Sequence, residues 1–391
     1  MLGFGMMHIV QGVLSFELTG KNSSVGFVAM GWGLPMLLLG PIGGTLSDRF
    51  SKRLLLMFGQ AAVGTTFAAI GVLFILDMLN IWTLFALTGV MGILFAALMP
   101  ARQAWVGDLL EGPALANGIA LQQLMMNATR IVGPFAASGL IAWALTGIGG
   151  AYLGMSSLFF SSFAVLFFMQ PTKPRFRAQR TSIAADLKVG LRYTWDAKEV
   201  RLMMLMFAGV VMTAFTYQLL MPGFLENELG QPSKRVGFIF GASAVGGIIL
   251  TLFLTRNGLS KDASKLMFGC GAASGVCLIL LALAPNFALA LVAAALLGAA
   301  SSGFQMCNQV LLMQKTDPAF FGRVMSLTMT AFGLQMVVGF PAGAVADAVG
   351  ERPTMVVLGL ACLTVVAIGR FASRTMRAES RAAGALAAVR R

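Results

Sequence analysis

Residues 43–53 read GGTLSDRFSKR, from Gly43 to Arg53. A long and almost uncharged stretch precedes them, and another apolar run starts at once. Asp48, Arg49, Lys52 and Arg53 therefore form a charged knot between two greasy segments. In a water-soluble chain such a knot would be ordinary surface. Here it is the exception, and the rest of the sequence explains why.

Of the 391 residues, 58% are hydrophobic and 11% are charged. Soluble domains sit near about 45–50% and about a quarter. This chain cannot cover itself with a charged skin, so lipid is its solvent. The excess recurs as twelve apolar runs, near 1–18, 24–46, 54–76, 81–101, 116–145, 150–169, 202–223, 236–255, 265–284, 287–312, 323–346 and 354–372. A spanning helix needs about 20 residues. A spanning strand needs about 9–11 in weak alternation. The runs are too long and too uniformly apolar for strands, so the expected fold is all-α and polytopic, with twelve transmembrane helices in two six-helix bundles.

The first run is short and free of charge up to Glu17. It lacks the basic start and small-residue cleavage site of a secretory signal. It reads as the back half of a membrane helix, with residues expected ahead of Met1.

Net charge is +13, which on a soluble protein would point to nucleic acid. Its distribution points to membrane topology instead. With the start of the chain inside and twelve crossings, most of the 28 lysines and arginines fall on the inside. The exceptions are Lys21, Lys234, Arg235 and Arg352 outside, and Arg130 within a span. This is the positive-inside bias, and it puts both termini in the cytoplasm of an inner or plasma membrane.

The segment 171–201 divides the chain into a bundle at 1–170 and a bundle at 202–372, with a basic cytoplasmic tail at 373–391. PTKPRFRAQRTS is basic and interrupted by proline, as a linker is. IAADLKVGLRYTW follows, with Leu187, Leu191 and Trp195 on one helix face and Lys188 and Arg192 beside them. That pattern fits a short helix on the inner surface, held by apolar contact and by anionic lipid rather than by nucleic acid.

The knot has an echo in GAVADAVGER. Gly343, Asp347, Gly350 and Arg352 repeat the offsets of Gly44, Asp48, Ser51 and Arg53. The echo follows span 11 and so faces the opposite side. Inverted repeats of three helices place copies in this way.

These residues resemble the major facilitator superfamily, and most closely its drug and siderophore efflux branch. GGTLSDRFSKR is similar to that family's loop between helices 2 and 3, with Ser51 where glycine is usual. After span 8, LTRNGLSKDASK keeps Arg256, Gly258, Lys261 and Lys265 but has no aspartate at the matching offset. RIVGPFAASG holds Gly133 and Pro134, the core of the family's fifth-helix motif, with Arg130 ahead of them. FELTGKNSSVGF, LPMLLLGPIGG, MPARQAWVGDLLEGPALANG and LKVGLRYTW extend the likeness over most of the first 200 residues.

The resemblance implies alternating access. It also implies that the loop from Gly44 to Arg53 braces a cytoplasmic gate, with Asp48 at the start of span 11 near Gly322 and Asp108 paired with Arg49 or Arg102. A carboxylate beside a helix N-terminus is favoured by the exposed N–H groups and the dipole.

Polar groups inside the runs are the candidates for binding and coupling. Arg130 is costly in hydrocarbon and should face protein or a wet cavity. Gln123 and Asn127 share its helix. Gln11 lies in the first run, and Tyr217, Gln218, Gln305, Asn308, Gln309 and Gln335 lie in the second group. Each alone is more commonly a helix-packing hydrogen bond, but their split across both halves is what a central cavity needs. The 26 methionines and 30 phenylalanines would make a cavity soft and aromatic, suited to amphipathic or hydrophobic small molecules.

No GxxxxGK[ST] phosphate loop occurs, which disfavours an ATP-driven pump. No histidine cluster or nucleophile constellation marks an enzyme. Cys270, Cys277, Cys307 and Cys362 lack metal-ligand spacing, so neither metal nor cofactor is expected. The expectation is a monomeric proton-coupled exporter of a small organic molecule, with Glu17 as first coupling candidate and His8 as second. Uptake of a metabolite on the same fold stays open as the alternative.

Overall fold

The computed structural model describes residues 2–49, 51–109, 125, 129, 132–137, 139–141, 147–169, 183–257, 263–317 and 320–389. Only the backbone path is described at 2, 4, 40–49, 100, 103–104, 106–108, 183–188, 257, 321–323, 325–326, 329 and 377–389. Gln123, Asn127 and Arg130 lie outside the described residues, and so do the side chains of Asp48, Arg49 and Asp108.

Among the described residues all regular structure is helical. In chain order the helices are α1 (Leu2–Thr19), α2 (Asn22–Arg49), α3 (Lys52–Ile75), α4 (Ile81–Leu109), α5 (Val132–Ile141) and α6 (Gly147–Phe168). Then come α7 (Ile183–Asp196), α8 (Lys198–Ala214), α9 (Tyr217–Gly223), α10 (Val236–Asn257), α11 (Ala263–Ala282), α12 (Phe287–Lys315), α13 (Phe321–Val349) and α14 (Glu351–Val389). In lipid only helices can satisfy their own backbone donors and acceptors within one segment, which is why apolar runs this long fold so.

Among the described residues ten helical segments are long and apolar enough to cross a membrane. The count of twelve is therefore supported only as far as ten. Of the other two runs, α1 has 18 residues and carries His8, Gln11 and Glu17. The run 116–145 is represented mainly by α5.

Helix ends also differ from the hydropathy boundaries. α2 continues through Arg49 and α3 starts at Lys52, so the charged residues of the knot close one helix and open the next. α14 runs for 39 residues, through the segment expected as a separate tail. At about 1.5 Å per residue it outruns a hydrocarbon core of about 30 Å. Its last turns are rich in alanine and arginine, both good helix formers, so leaving the lipid does not end the helix.

Helices α1–α6 pack on one another, chiefly α2 on α4 and α3 on α6. Helices α8–α14 do likewise, with α12 held between α10 and α11 and α14 on α11 and α8. The principal contact joining the two groups is α2 against α13, which run antiparallel. Phe58, Ile249, Val357 and Phe371 stand exposed on the outside of this assembly. In water they would be costly, whereas in hydrocarbon they cost nothing.

One end of the assembly carries the corner at Ser51, the close of α6 and α7. We call it the linker end. The far end carries the turns at Gly20, 76–80 and Gly350.

Candidate functional site

The segment Lys198–Glu228 crosses as one span but not as one helix. α8 stops at Ala214, α9 starts at Tyr217, and Phe224–Glu228 form a π-helical turn. Pro222 within α9 has no N–H, so the carbonyl four residues earlier loses its helical donor. At the break the Gln218 N–H donates to the Phe215 carbonyl at 3.1 Å. Gln335 on α13 donates to the same carbonyl at 3.3 Å, with its side chain buried. Irregular backbone at membrane depth survives only where protein or a wet cavity supports it. Interrupted spans of this kind build the binding sites of carriers.

Tyr217 is buried beside the break, within hydrogen-bonding reach of Ser243 on α10 and of Gln218. Gly12 on α1 faces Pro222, which puts the first span against the broken one. Tyr217, Gln218 and Gln335 are thus brought together.

The other candidates go elsewhere. Gln11 is buried and donates to Thr88 Oγ1 at 3.0 Å and to the Val28 carbonyl at 3.5 Å, so it ties α1 to α4 and α2. His8 meets the Trp32 ring edge-on at 5.2 Å. Asn308 is buried and donates to the Met203 carbonyl at 3.1 Å, close to the linker end. Gln305 is half-buried and Gln309 exposed on α12.

Gly133 and Pro134 are buried on α5. A Cβ on Gly133 would lie 3.0 Å from the carbonyl carbon of Gly5, so this glycine serves the approach of α1 to α5. The neighbour that reaches the second group is Phe135, which sequence reasoning missed. A Cβ on Gly241 of α10 would meet its ring at 2.8 Å, and the ring also lies edge-on to Phe238.

The seam of α2 and α13 is closed from mid-membrane to the far end. A Cβ on Gly33 would lie 2.6 Å from Met336 Cβ, and one on Gly26 would lie 2.6 Å from Phe340 Cα. Small residues let helix backbones approach where no hydrophobic drive exists in lipid.

At the far end the seam becomes polar. Asp347 of α13 accepts from the backbone N–H of Asn22 at 2.7 Å and of Ser23 at 2.9 Å. The Asn22 side chain donates to Asp347 at 3.2 Å and to Glu351 at 2.7 Å. Asn227, in the π-turn, donates to Glu351 at 2.6 Å. Arg352 binds the Glu228 carboxylate at 2.7 Å. Glu17 pairs with Lys234 at 3.7 Å, again from one group to the other. The first coupling candidate therefore sits at the far-end rim.

At the linker end Arg53 donates from Nε to the Leu166 carbonyl at 3.1 Å and from Nη2 to that of Phe167 at 2.7 Å. It satisfies terminal carbonyls of α6, which have no helical donors of their own. Lys52 opens α3 and is half-buried. The backbone of Gly44, Asp48 and Arg49 lies in the closing turns of α2. On α7, Leu191 and Trp195 face outward, while Tyr193 stacks on Phe320 at 4.2 Å and accepts from the Asp317 N–H at 2.9 Å.

Two packed helix groups, a broken span in the second and a seam closed at one end define a membrane carrier for a small molecule, not an enzyme. The model of the Major Facilitator Superfamily matches residues 1–340, and the chain belongs to that family. Its working mode is secondary transport by alternating access.

The chain is 23% identical to the Staphyloferrin A transporter of Staphylococcus aureus over 93% of its own length and 91% of that protein's. It is 25% identical to the Enterobactin exporter EntS of Shigella boydii, over 92% of this chain and 84% of that one. The solved structure of the nucleoside transporter NupG has the same fold, with a TM-score of 0.70 at 13% identity over 95% of this chain and 96% of that one.

Proposed function

We propose that the chain exports a small amphipathic or hydrophobic organic molecule by proton antiport. In this reading twelve spans form two bundles, at 1–170 and 202–372. The linker end and both termini are cytoplasmic, as the basic residues require. The observation that carries the reading is the break in the seventh span, where Tyr217, Gln218 and Gln335 are brought together. Export as the direction is supported by the full-length likeness to an enterobactin exporter.

The inner gate in this reading is the corner from Gly44 to Arg53, with Asp48 on the N-terminus of α13 and Asp108 beside Arg49 or Arg102. Arg130, Gln123 and Asn127 would line the path from the first bundle. Everted membrane vesicles from cells expressing the chain provide the test. Amphipathic dyes should accumulate inside them when the lumen is made acidic, and release should follow collapse of the gradient. Dye entry into right-side-out vesicles under an inward proton gradient, with none into everted ones, would instead assign uptake.

A further inference from the structure

The echo of the knot has a physical counterpart. We propose that Gly343 and Asp347 of α13 form a latch on Asn22 of α2, with Glu351 as a second acceptor for Asn22 and Arg352 bracing the corner behind them. It holds the far end shut and must release before that end can open. The proposal rests on the alternating-access reading, but its test needs no substrate.

Each residue of the echo has a task. Gly343 leaves no room for a side chain: a Cβ there would lie 2.7 Å from the carbonyl carbon of Asn22 and 2.8 Å from Ser23 Cα. Four residues on, one turn further along the same face, Asp347 meets the first two N–H groups of α2. These groups have no partner within their own helix, and a carboxylate is the best acceptor for them. The residue that would cap α2 from within the chain is Lys21, which has no acceptor to offer. The cap comes instead from the other helix group, so it exists only while the groups are together.

Gly350 has φ +97, a left-handed value that favours glycine, and its N–H closes α13 on the Ala346 carbonyl. Ser51, its counterpart, has φ −58 and needs no glycine. Arg352 then ties the corner to the end of the broken span through Glu228, just as Arg53 ties its corner to the end of α6.

Asn22 is the hub. It belongs to the first group, yet it is buried among Asp347, Glu351 and Gly223 of the second. Parting the groups exposes Asp347, Glu351 and the α2 terminus to water, which replaces their partners. The latch can therefore open reversibly, unlike a buried charge left in lipid.

The test places spin labels at Met78→Cys and Pro285→Cys, two exposed positions in far-end turns of opposite groups. The full chain is otherwise free of cysteine and reconstituted in vesicles. Pulsed dipolar spectroscopy should show a longer distance in Asp347→Ala whose share is several-fold greater than in the parent. Gly343→Leu should do the same. Asp347→Asn, which keeps one acceptor oxygen, should fall between. Distance distributions that match the parent in a folded Asp347→Ala protein overturn the latch. Should Asp347→Ala fail to fold, a parent-like distribution in Asp347→Asn overturns it equally. Neither result bears on which molecule is carried or in which direction.

Discussion

The Asn22 backbone N–H donates to Asp347 Oδ1 at 2.7 Å, across 325 residues of sequence and from one helix group to the other. This single contact joins the N-terminus of α2 to the C-terminal turn of α13. The same two helices run together past Gly26 and Gly33 toward the middle. At the opposite ends of the same pair lie Asp48 and the start of α13. The proposed inner gate would therefore use the same two helices with the roles exchanged. A carrier whose two clasps share one helix pair has a direct way to make their closures exclusive.

Asp48→Asn should weaken transport several-fold while leaving membrane insertion and abundance unchanged. The amide keeps the shape of the carboxylate but loses the charge that favours a helix N-terminus. Everted-vesicle transport equal to the parent at equal abundance would remove Asp48 from the inner gate.

Gly133→Leu should destabilise the protein, because its Cβ would crowd the Gly5 backbone and neither helix can yield cheaply. Overpacking of this kind costs about 1–3 kcal/mol. Gly139→Ala is the matched control, since nothing lies within 4 Å of its added Cβ. Melting in detergent should fall clearly for the first and stay near the parent for the second.

Gln335→Leu should cost little stability and more transport. The Phe215 carbonyl keeps its bond from the Gln218 N–H, so the loss is that of one ordinary hydrogen bond, about 0.5–1.5 kcal/mol. The tie from α13 to the broken span is lost outright. A melting point within a few degrees of the parent, with a reduced transport rate, is the expected pair of results. Full transport would show that the tie is packing alone.

Much of this architecture was legible in the sequence, for a physical reason. Hydrocarbon demands length and apolarity from each span, and both are local properties. The charge asymmetry is equally local. Partners are not. Glu17 stands out in the sequence as a coupling candidate, but its partner Lys234 at the far-end rim does not. Gln11 could be a cavity residue or a packing hydrogen bond by sequence, and the structure has it donate to Thr88 of α4. Arg53 spends its donors on the Leu166 and Phe167 carbonyls, partners more than a hundred residues away in sequence.

Asn22 was not singled out at all. It is one polar residue at the start of α2, and a cap supplied by another helix leaves no trace in nearby sequence. The repeated offsets from Gly343 to Arg352 were the one usable signal, because Asp347 lies among them. The charged half of the proposed inner gate lies outside the described side chains.

Glu17→Gln separates coupling from closure. The ion pair with Lys234 is partly exposed, so its loss should cost only about 0–1 kcal/mol. If Glu17 carries the proton, gradient-driven accumulation should vanish while substrate exchange across liposomes persists. Gradient-driven accumulation that persists would remove Glu17 from coupling.

The central claim is that the groups around the broken span face the two sides of the membrane in turn. A lone cysteine at Gln218, in a chain lacking Cys270, Cys277, Cys307 and Cys362, tests it directly. Sealed vesicles of both orientations are treated with an impermeant thiol reagent, with and without a transported dye. Labelling from the far-end side should rise as labelling from the linker-end side falls when the dye is added. Labelling confined to one side under every condition, in protein that still binds the dye, would contradict the account.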